Sequence, residues 1–241
     1  MEFKVKDTIL LLFAGLLLLQ GPVLAQETMV ISAVDGSTSS LLCIPVVREA
    51  YKRIGYEIDI TRFPGKAALE KSNAGEVDAE LQRIDGISSK YPNLIQIHIP
   101  VNYLQGSAFA TNAAFPVNGW YSLKPYRIGI VKGILFAQQG TEGMDVKAAD
   151  SYQDLFLLLD RAEVDVIVVT RIKGLVAIRD QKVKGMKELE GLLEQMFLYH
   201  YVHKKNKALV PGLEKAFKQM LIDGTIRRLR DEALKNLLAG E

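Results

Sequence analysis

A phrase that occurs twice constrains this chain more than any other feature. It reads Ala74-Gly75-Glu76-Val77-Asp78-Ala79-Glu80-Leu81 and, 87 residues later, Arg161-Ala162-Glu163-Val164-Asp165-Val166-Ile167-Val168. Each copy follows residues with helical spacing of apolar side chains and opens an apolar run of strand length. One Glu-Val-Asp carries no information, but two in the same supersecondary setting predict two lobes built alike, with a cleft between them.

The first 25 residues stand apart from that pattern. Lys4 and Lys6 precede an apolar run from Ile9 to Leu19, and Val23-Leu24-Ala25 then supplies the small residues of a cleavage site. The run is shorter than the ~20 residues a spanning helix needs. Residues 1–25 are therefore expected to be a cleavable export signal, with Gln26 opening the mature chain and the periplasm as its location. Cys43 is the only cysteine, so no intramolecular disulfide can form. Its neighbours Leu41, Leu42 and Ile44 predict a buried, unreactive thiol.

Composition narrows the function classes. The chain is 49% hydrophobic, and the 216 residues beyond the signal can bury one large core or two small ones. A formal charge of +2 and the lack of a basic stripe interleaved with aromatics argue against nucleic acid as a partner. Lys204, Lys205 and Lys207 read as a solvated turn. His200 and His203, three apart in an apparent strand, point to opposite faces, and with only His98 besides them no metal site is expected. Neither a glycine-rich phosphate loop nor a nucleophile elbow is present, so no cofactor and no catalytic nucleophile are expected.

Periodicity predicts alternating strands and helices along the mature chain. Strands are expected at 28–34, 57–61 and 77–82, with helices at 41–54 and 66–74 between them. An extended segment from Leu94 leads into Val101-Asn102-Tyr103-Leu104, after which a second set begins: strands at 127–131, 144–148 and 164–170, helices at 134–139, 152–161 and 172–180. An apolar extended run follows at 196–203, then a helical region from Leu209 to Leu238 broken at Asp223-Gly224. The second set is already complete, so the last stretch is expected to return to the first lobe. This gives an α/β chain with one lobe from 26–104 and 197–241 and another from 105–196, each a mostly parallel sheet flanked by helices. Crossings near 100–108 and 194–201 form a two-strand hinge, the mechanical basis of clamshell closure.

Ala68-Leu69 through Gly75-Glu76-Val77-Asp78, Tyr126-Arg127-Ile128-Gly129-Ile130-Val131-Lys132-Gly133, Leu155-Phe156 through Asp165, and Asp223-Gly224-Thr225-Ile226 occur in the order seen in one family. In them the chain resembles the periplasmic solute-binding proteins that serve polar amino acid uptake, often called family 3. The resemblance spans essentially the whole mature chain. It implies the two-lobed type 2 periplasmic binding protein fold, a small-molecule ligand in the cleft, delivery to an ABC transporter permease, and a monomer.

Ligands of open α/β sheets bind beyond the carboxyl ends of strands, which selects candidate residues. These are Asp35, with Ser37 and Thr38 at the following helix cap; Phe63; Arg83; Lys132 and Gly133; and Thr170 and Arg171. Asn102 and Tyr103 join them from the first crossing. Asp35 can accept from an ammonium or hydroxyl or merely start a turn with Gly36, and Phe63 can cover a ligand or fill the core. Arg83 can grip a carboxylate with two parallel hydrogen bonds or pair with Glu80 or Asp85. The chain departs from the resemblance in three places. Arg83 comes only five residues after Asp78, where the family places its arginine about a dozen after; Thr170 stands where amino acid binders carry an ammonium-binding Asp; and Lys132-Gly133-Ile134 lacks the Thr of the family's Gly-Thr. Arg83 and Arg171 together lead to the expectation of an anionic or polyhydroxy ligand.

Two other functions are compatible with such a scaffold. A membrane sensor could use the same ligand capture, with Trp120-Tyr121 or Tyr199-His200-Tyr201 at a partner surface. A dehydratase would need a base in the cleft, for which Asp35 or Glu80 is available.

Overall fold

The computed structural model describes residues 27–240; the expected export signal lies outside them. The first lobe opens with β1 (Thr28–Val34), a run rich in β-branched residues, and α1 (Thr38–Arg53). Ser37 caps α1, its Oγ accepting from the Ser40 N–H, while Lys52 and Arg53 face the negative end of the helix dipole. β2 (Glu57–Phe63), α2 (Gly65–Ala74), β3 (Ala79–Arg83) and the long β4 (Leu94–Ala110) follow. The second lobe contains β5 (Val117–Asn118), β6 (Ile128–Val131), α3 (Leu135–Gly140), β7 (Val146–Ala149), α4 (Tyr152–Asp160), β8 (Val166–Thr170) and α5 (Arg171–Arg179). Short β9 (Lys187–Glu188) and β10 (Gly191–Leu192) precede β11 (Glu194–His203), α6 (Val210–Ile222) and α7 (Thr225–Ala239).

The main sheet runs β2-β1-β3-β11-β4-β8-β6-β7, with β9 added on β4. Pairing is parallel in β2-β1-β3 and in β8-β6-β7 and antiparallel at the joins through β11 and β4. The mostly parallel sheet expected in each lobe is present, and hydrogen bonding is also continuous between the two across the hinge. The cause is that both crossings are extended and antiparallel, so their free N–H and C=O groups pair with each other, from Glu194 opposite Gly106 to His203 opposite Leu94.

The repeated phrase has a structural duty in both lobes. Asp78 donates its N–H to the Val30 carbonyl at 2.7 Å and accepts the Val30 N–H on Oδ2 at 2.8 Å. Asp165 does the same to Arg127, at 2.8 and 2.9 Å. Each aspartate therefore closes a two-bond ring onto the central strand of its lobe. Val77 and Val164 between them are buried. Burial alone would raise the Asp78 carboxyl, but the Val30 N–H, Lys205 and Asn206 together hold it below its ordinary value. Arg127 holds the Asp165 carboxyl down in the same way.

Alternation along the strands builds the cores. In β8, Val166 and Val168 face one cluster with Ile128, Ile130 and Leu123, while Ile167 and Val169 face another with Phe109, Leu155 and Phe156. The first lobe has its own core around Ile31, Tyr51, Leu81 and Phe217. Cys43 is fully buried within it and burial pushes its thiol far above the ordinary range, which makes it inert.

The residue before each Glu-Val-Asp takes a left-handed backbone: Gly75 at φ +79° and Ala162 at φ +52°. A side chain is strained there. Ala162→Gly should stabilise the protein by about 0.5–1 kcal/mol. Gly75→Ala should destabilise it by more, because the new Cβ would lie 2.8 Å from His203 Cε1. Urea unfolding of the two variants beside the wild type checks both signs.

Candidate functional site

The carboxyl ends of β1, β3 and β6 open on a cleft of about 640 Å³ between the lobes. Ser37 and Ser39 at the start of α1, with Gln82 and Arg83 at the end of β3, form its first-lobe wall. Gly133, Ile134, Leu135 and Phe136 form the second-lobe wall, and Leu104, Glu194, Met196 and Leu198 come from the hinge strands. Most of this surface is apolar. Its charged groups are Arg83, Glu80 and Glu194.

Arg83 is held in place by its neighbours in the first lobe. Its Nε donates to Glu80 Oε1 at 2.8 Å and its Nη2 to the Gly65 carbonyl at 2.9 Å. Nη1 has no protein acceptor among the described residues. Glu80 is fully buried and also accepts from the Ser32 hydroxyl and, at 3.2 Å, from the Ser72 hydroxyl. Burial raises the Glu80 carboxyl above its ordinary value despite Arg83 and both hydroxyls. Glu194 accepts from the Trp120 indole N–H at 3.1 Å.

A chain of buried amides backs the first-lobe wall. Gln82 Nε2 donates to Ser39 Oγ at 2.6 Å, and Gln82 Oε1 accepts from Asn102 Nδ2 at 2.7 Å. Asn102 Nδ2 also donates to the Ser39 carbonyl at 3.1 Å. Its Oδ1 accepts from Arg230 Nε at 2.6 Å, which fixes the amide's orientation.

No family model matches the chain. An uncharacterized protein of Shewanella oneidensis is 25% identical over 195 residues, spanning 78% of this chain and 74% of that one. A probable amino-acid ABC transporter extracellular-binding protein of Bacillus subtilis superposes with a TM-score of 0.73 at 16% identity, over 87% of this chain and 99% of its own. The GluR0 ligand-binding core in complex with L-glutamate gives 0.68 at 13%, over 89% and 100%. A histidine kinase sensor domain with similarity to periplasmic binding proteins gives 0.65 at 16%, over 87% and 97%. The chain has the two-lobed fold of the periplasmic binding proteins.

Within that binding-protein fold the sequence-predicted residues separate into two groups. Ser37, Arg83 and Gly133 line the cleft. Asp35 lies outside that lining, in an exposed turn where its Oδ1 accepts from the Gly36 N–H. Thr38 is the first residue of α1, and Phe63 sits beside the Lys71 ammonium, 5.4 Å from the ring centroid; neither lines the cleft. Lys132 is drawn away by Asp150 at 2.6 Å, and Arg171 by Glu188 at 2.9 Å. Asn102 and Tyr103 line a separate groove along the hinge, and Tyr103, Thr170 and Arg171 line a small pocket beside it.

Glu194 and Phe136 are cleft residues that strand-end reasoning passes over. Glu194 sits on a crossing expected only as hinge, and Phe136 lies two residues into the helix expected at 134–139, beyond the strand end at Lys132-Gly133. Among the described residues no helix is long and apolar enough to cross a membrane. No group of three or more histidine, cysteine or acidic side chains among them is placed to share a metal ion.

His200 supports the first-lobe wall from beneath. Its Nδ1 lies 3.1 Å from the Leu81 carbonyl, which can only accept, so that nitrogen carries the proton and Nε2 accepts from the Tyr51 hydroxyl at 3.0 Å. Burial lowers the ring's pKa to about 4, although the backbone carbonyl contacts favour its charged form. An unfolded histidine gains its proton near 6.5, so this contribution is complete above that pH and is lost as pH falls towards 4. Between pH 7.5 and 5, urea unfolding should show the wild type losing about 2 kcal/mol more stability than His200→Gln.

Proposed function

We propose that this protein is an exported solute-binding protein that closes its lobes on a small zwitterion with an apolar body and hands it to ABC-type uptake. The observation that carries this reading is the composition of the cleft, where a pre-set guanidinium, Arg83, and a carboxylate, Glu194, share a lining that is otherwise largely apolar. Arg83 would take the ligand's carboxylate on its remaining N–H groups. Glu194 would take the ammonium, the role that Thr170 cannot fill. Ile134, Leu135, Phe136 and Met196 would cover the apolar body. The amino acid binders among the structural neighbours support a ligand of this class.

The expectation of an anionic or polyhydroxy ligand rested on Arg83 and Arg171 acting together. Arg171 is paired with Glu188 and lies outside the cleft lining, while Glu80 offsets Arg83. With that excess of positive charge gone, a ligand of balanced charge fits better. The neighbours are binding proteins, which speaks against a dehydratase. The likeness to a histidine kinase sensor domain supports a second reading, in which the closed form is presented to a membrane receptor. Loss of ligand uptake on deleting the gene would favour transport.

Thermal unfolding with norleucine, hexylamine, glucose and glutamate tests the ligand class. Norleucine at a hundredfold excess over its dissociation constant should add about 2.7 kcal/mol of stability. The Arg83→Gln/Glu80→Gln double variant, which removes the guanidinium without stranding a buried carboxylate, should bind it at least tenfold more weakly. Equal binding by the double variant, or no stabilisation by any zwitterion, sinks the reading.

Glu80 adds a pH dependence. Its raised carboxyl takes a proton as pH falls, leaving the Arg83 charge unopposed for the ligand carboxylate. Norleucine affinity measured by calorimetry should therefore rise as pH falls. The Glu80→Gln single variant should bind tightly and lack that rise.

A further inference from the structure

The candidate residues that miss the cleft mark a second cavity. Between the first two turns of α7 and the hinge strands runs a groove of about 540 Å³, bounded by Asn102, Tyr103, Phe197, Leu221, Arg227 and Arg230. A small pocket of about 30 Å³ shares Tyr103, Arg230 and Asp231 with it and is lined also by Thr170 and Arg171 of the second lobe. Only Leu104 contributes to both this small pocket and the cleft.

Arg230 dominates the groove. It is 6% exposed, its Cζ lies 3.7 Å from the centroid of the Tyr103 ring, and its Nε is bonded to Asn102. Among the described residues no carboxylate pairs with it, and none of them accepts from its Nη groups. A buried cation is costly unless its charge is met. A ring face and an amide oxygen offset part of that cost, but neither carries a net charge.

The surroundings deepen the imbalance. Arg227 lines the same groove and also lacks a carboxylate partner among the described residues, leaving Asp231 as the acidic side chain in the lining. The amino end of α7, a helix of 15 residues, adds its partial positive charge at Gly224 and Ile226. The opposite rim is apolar: Phe197 is 49% exposed and Leu221 52%. Positive charge at the base and exposed apolar surface at the rim together describe an anion with an apolar body.

We propose that the hinge groove is a second binding site, for a small amphipathic monocarboxylate. The carboxylate sits on the Nη groups of Arg230, with Arg227 at the groove's edge, and the hydrocarbon part covers Phe197 and Leu221. The ligand carries no ammonium, which separates it from the zwitterion of the cleft. The site does not depend on what the cleft binds.

Calorimetric titration of the mature protein with sodium hexanoate at pH 7.5 tests it, with hexan-1-ol and inorganic phosphate as probes of each half alone. Hexanoate should bind, and both half-probes should bind at least tenfold more weakly. Arg230→Gln should weaken hexanoate about tenfold or more. Because Arg230 also packs on Tyr103, the exposed variant Leu221→Glu supplies an independent arm. It should unfold like the wild type, yet lose hexanoate through like-charge repulsion at the rim. Arg83→Gln/Glu80→Gln, altered only in the cleft, should bind hexanoate as the wild type does. The proposal is overturned if hexanoate fails to bind at millimolar concentration, if Leu221→Glu and folded Arg230→Gln bind it unchanged, or if only the cleft double variant loses it. That last result would place the anion in the cleft and leave the zwitterion reading to be judged on its own titration.

Discussion

Two carboxylates, one in each lobe, hold a corner of chain to a neighbouring strand. Asp78 and Asp165 each exchange a donor and an acceptor with a single backbone residue, Val30 in one lobe and Arg127 in the other. A strand entering a parallel sheet after a helix could slip by one residue, and such a slip would turn every side chain to the other face. The aspartate ring removes that freedom. In the first lobe it sets β3 so that Ala79 and Leu81 meet the core while Glu80 and Gln82 meet the polar groups of Ser32, Ser72 and Ser39. Asp78 also binds Lys205 at 2.9 Å and Asn206 at 3.0 Å, so the turn into the terminal helices is fixed by the same group.

The hinge follows from that arrangement. Because β4 and β11 pair along their lengths, any closure of the lobes would have to twist a continuous sheet rather than flex two loops. Register shifts on β11 at Leu198/Tyr199 and Tyr199/Tyr201 mark where the ladder is already interrupted. At Gly106 on β4, a side chain would meet Phe136 Cε2 at 3.0 Å, so the lack of one lets the second-lobe wall rest against the hinge strand. The second-lobe wall of the cleft and the hinge strand are thus in direct contact.

How far the sequence could be read follows the range of the forces involved. Element order comes from local periodicity and turn residues, and the structure agrees from Thr28–Val34 through to the break at Asp223-Gly224. Cleft residues could be named where the strand end itself faces the cavity, as with Arg83 and Gly133. Lys132 and Arg171 stand at equivalent strand ends, yet Asp150 and Glu188 take their charges away. Such pairing is decided by which loops meet in three dimensions, and no spacing rule announces it. Arg230 did leave a trace. It falls on the buried face of an amphipathic helix four residues after Ile226, where an apolar residue would satisfy the pattern.

Charge is what finally separates the two cavities. In the cleft the arginine is matched by a buried glutamate and a second carboxylate stands nearby, so a net anion would enter without a free cation to meet it. Along the hinge the balance is reversed, with two guanidinium groups and the amino end of a helix set against one exposed aspartate. Asn102 touches both regions, accepting from Arg230 on one side and donating to Gln82 and Ser39 on the other. The same amide therefore joins the groove to the wall that carries Arg83, while each cavity keeps its own balance of charge.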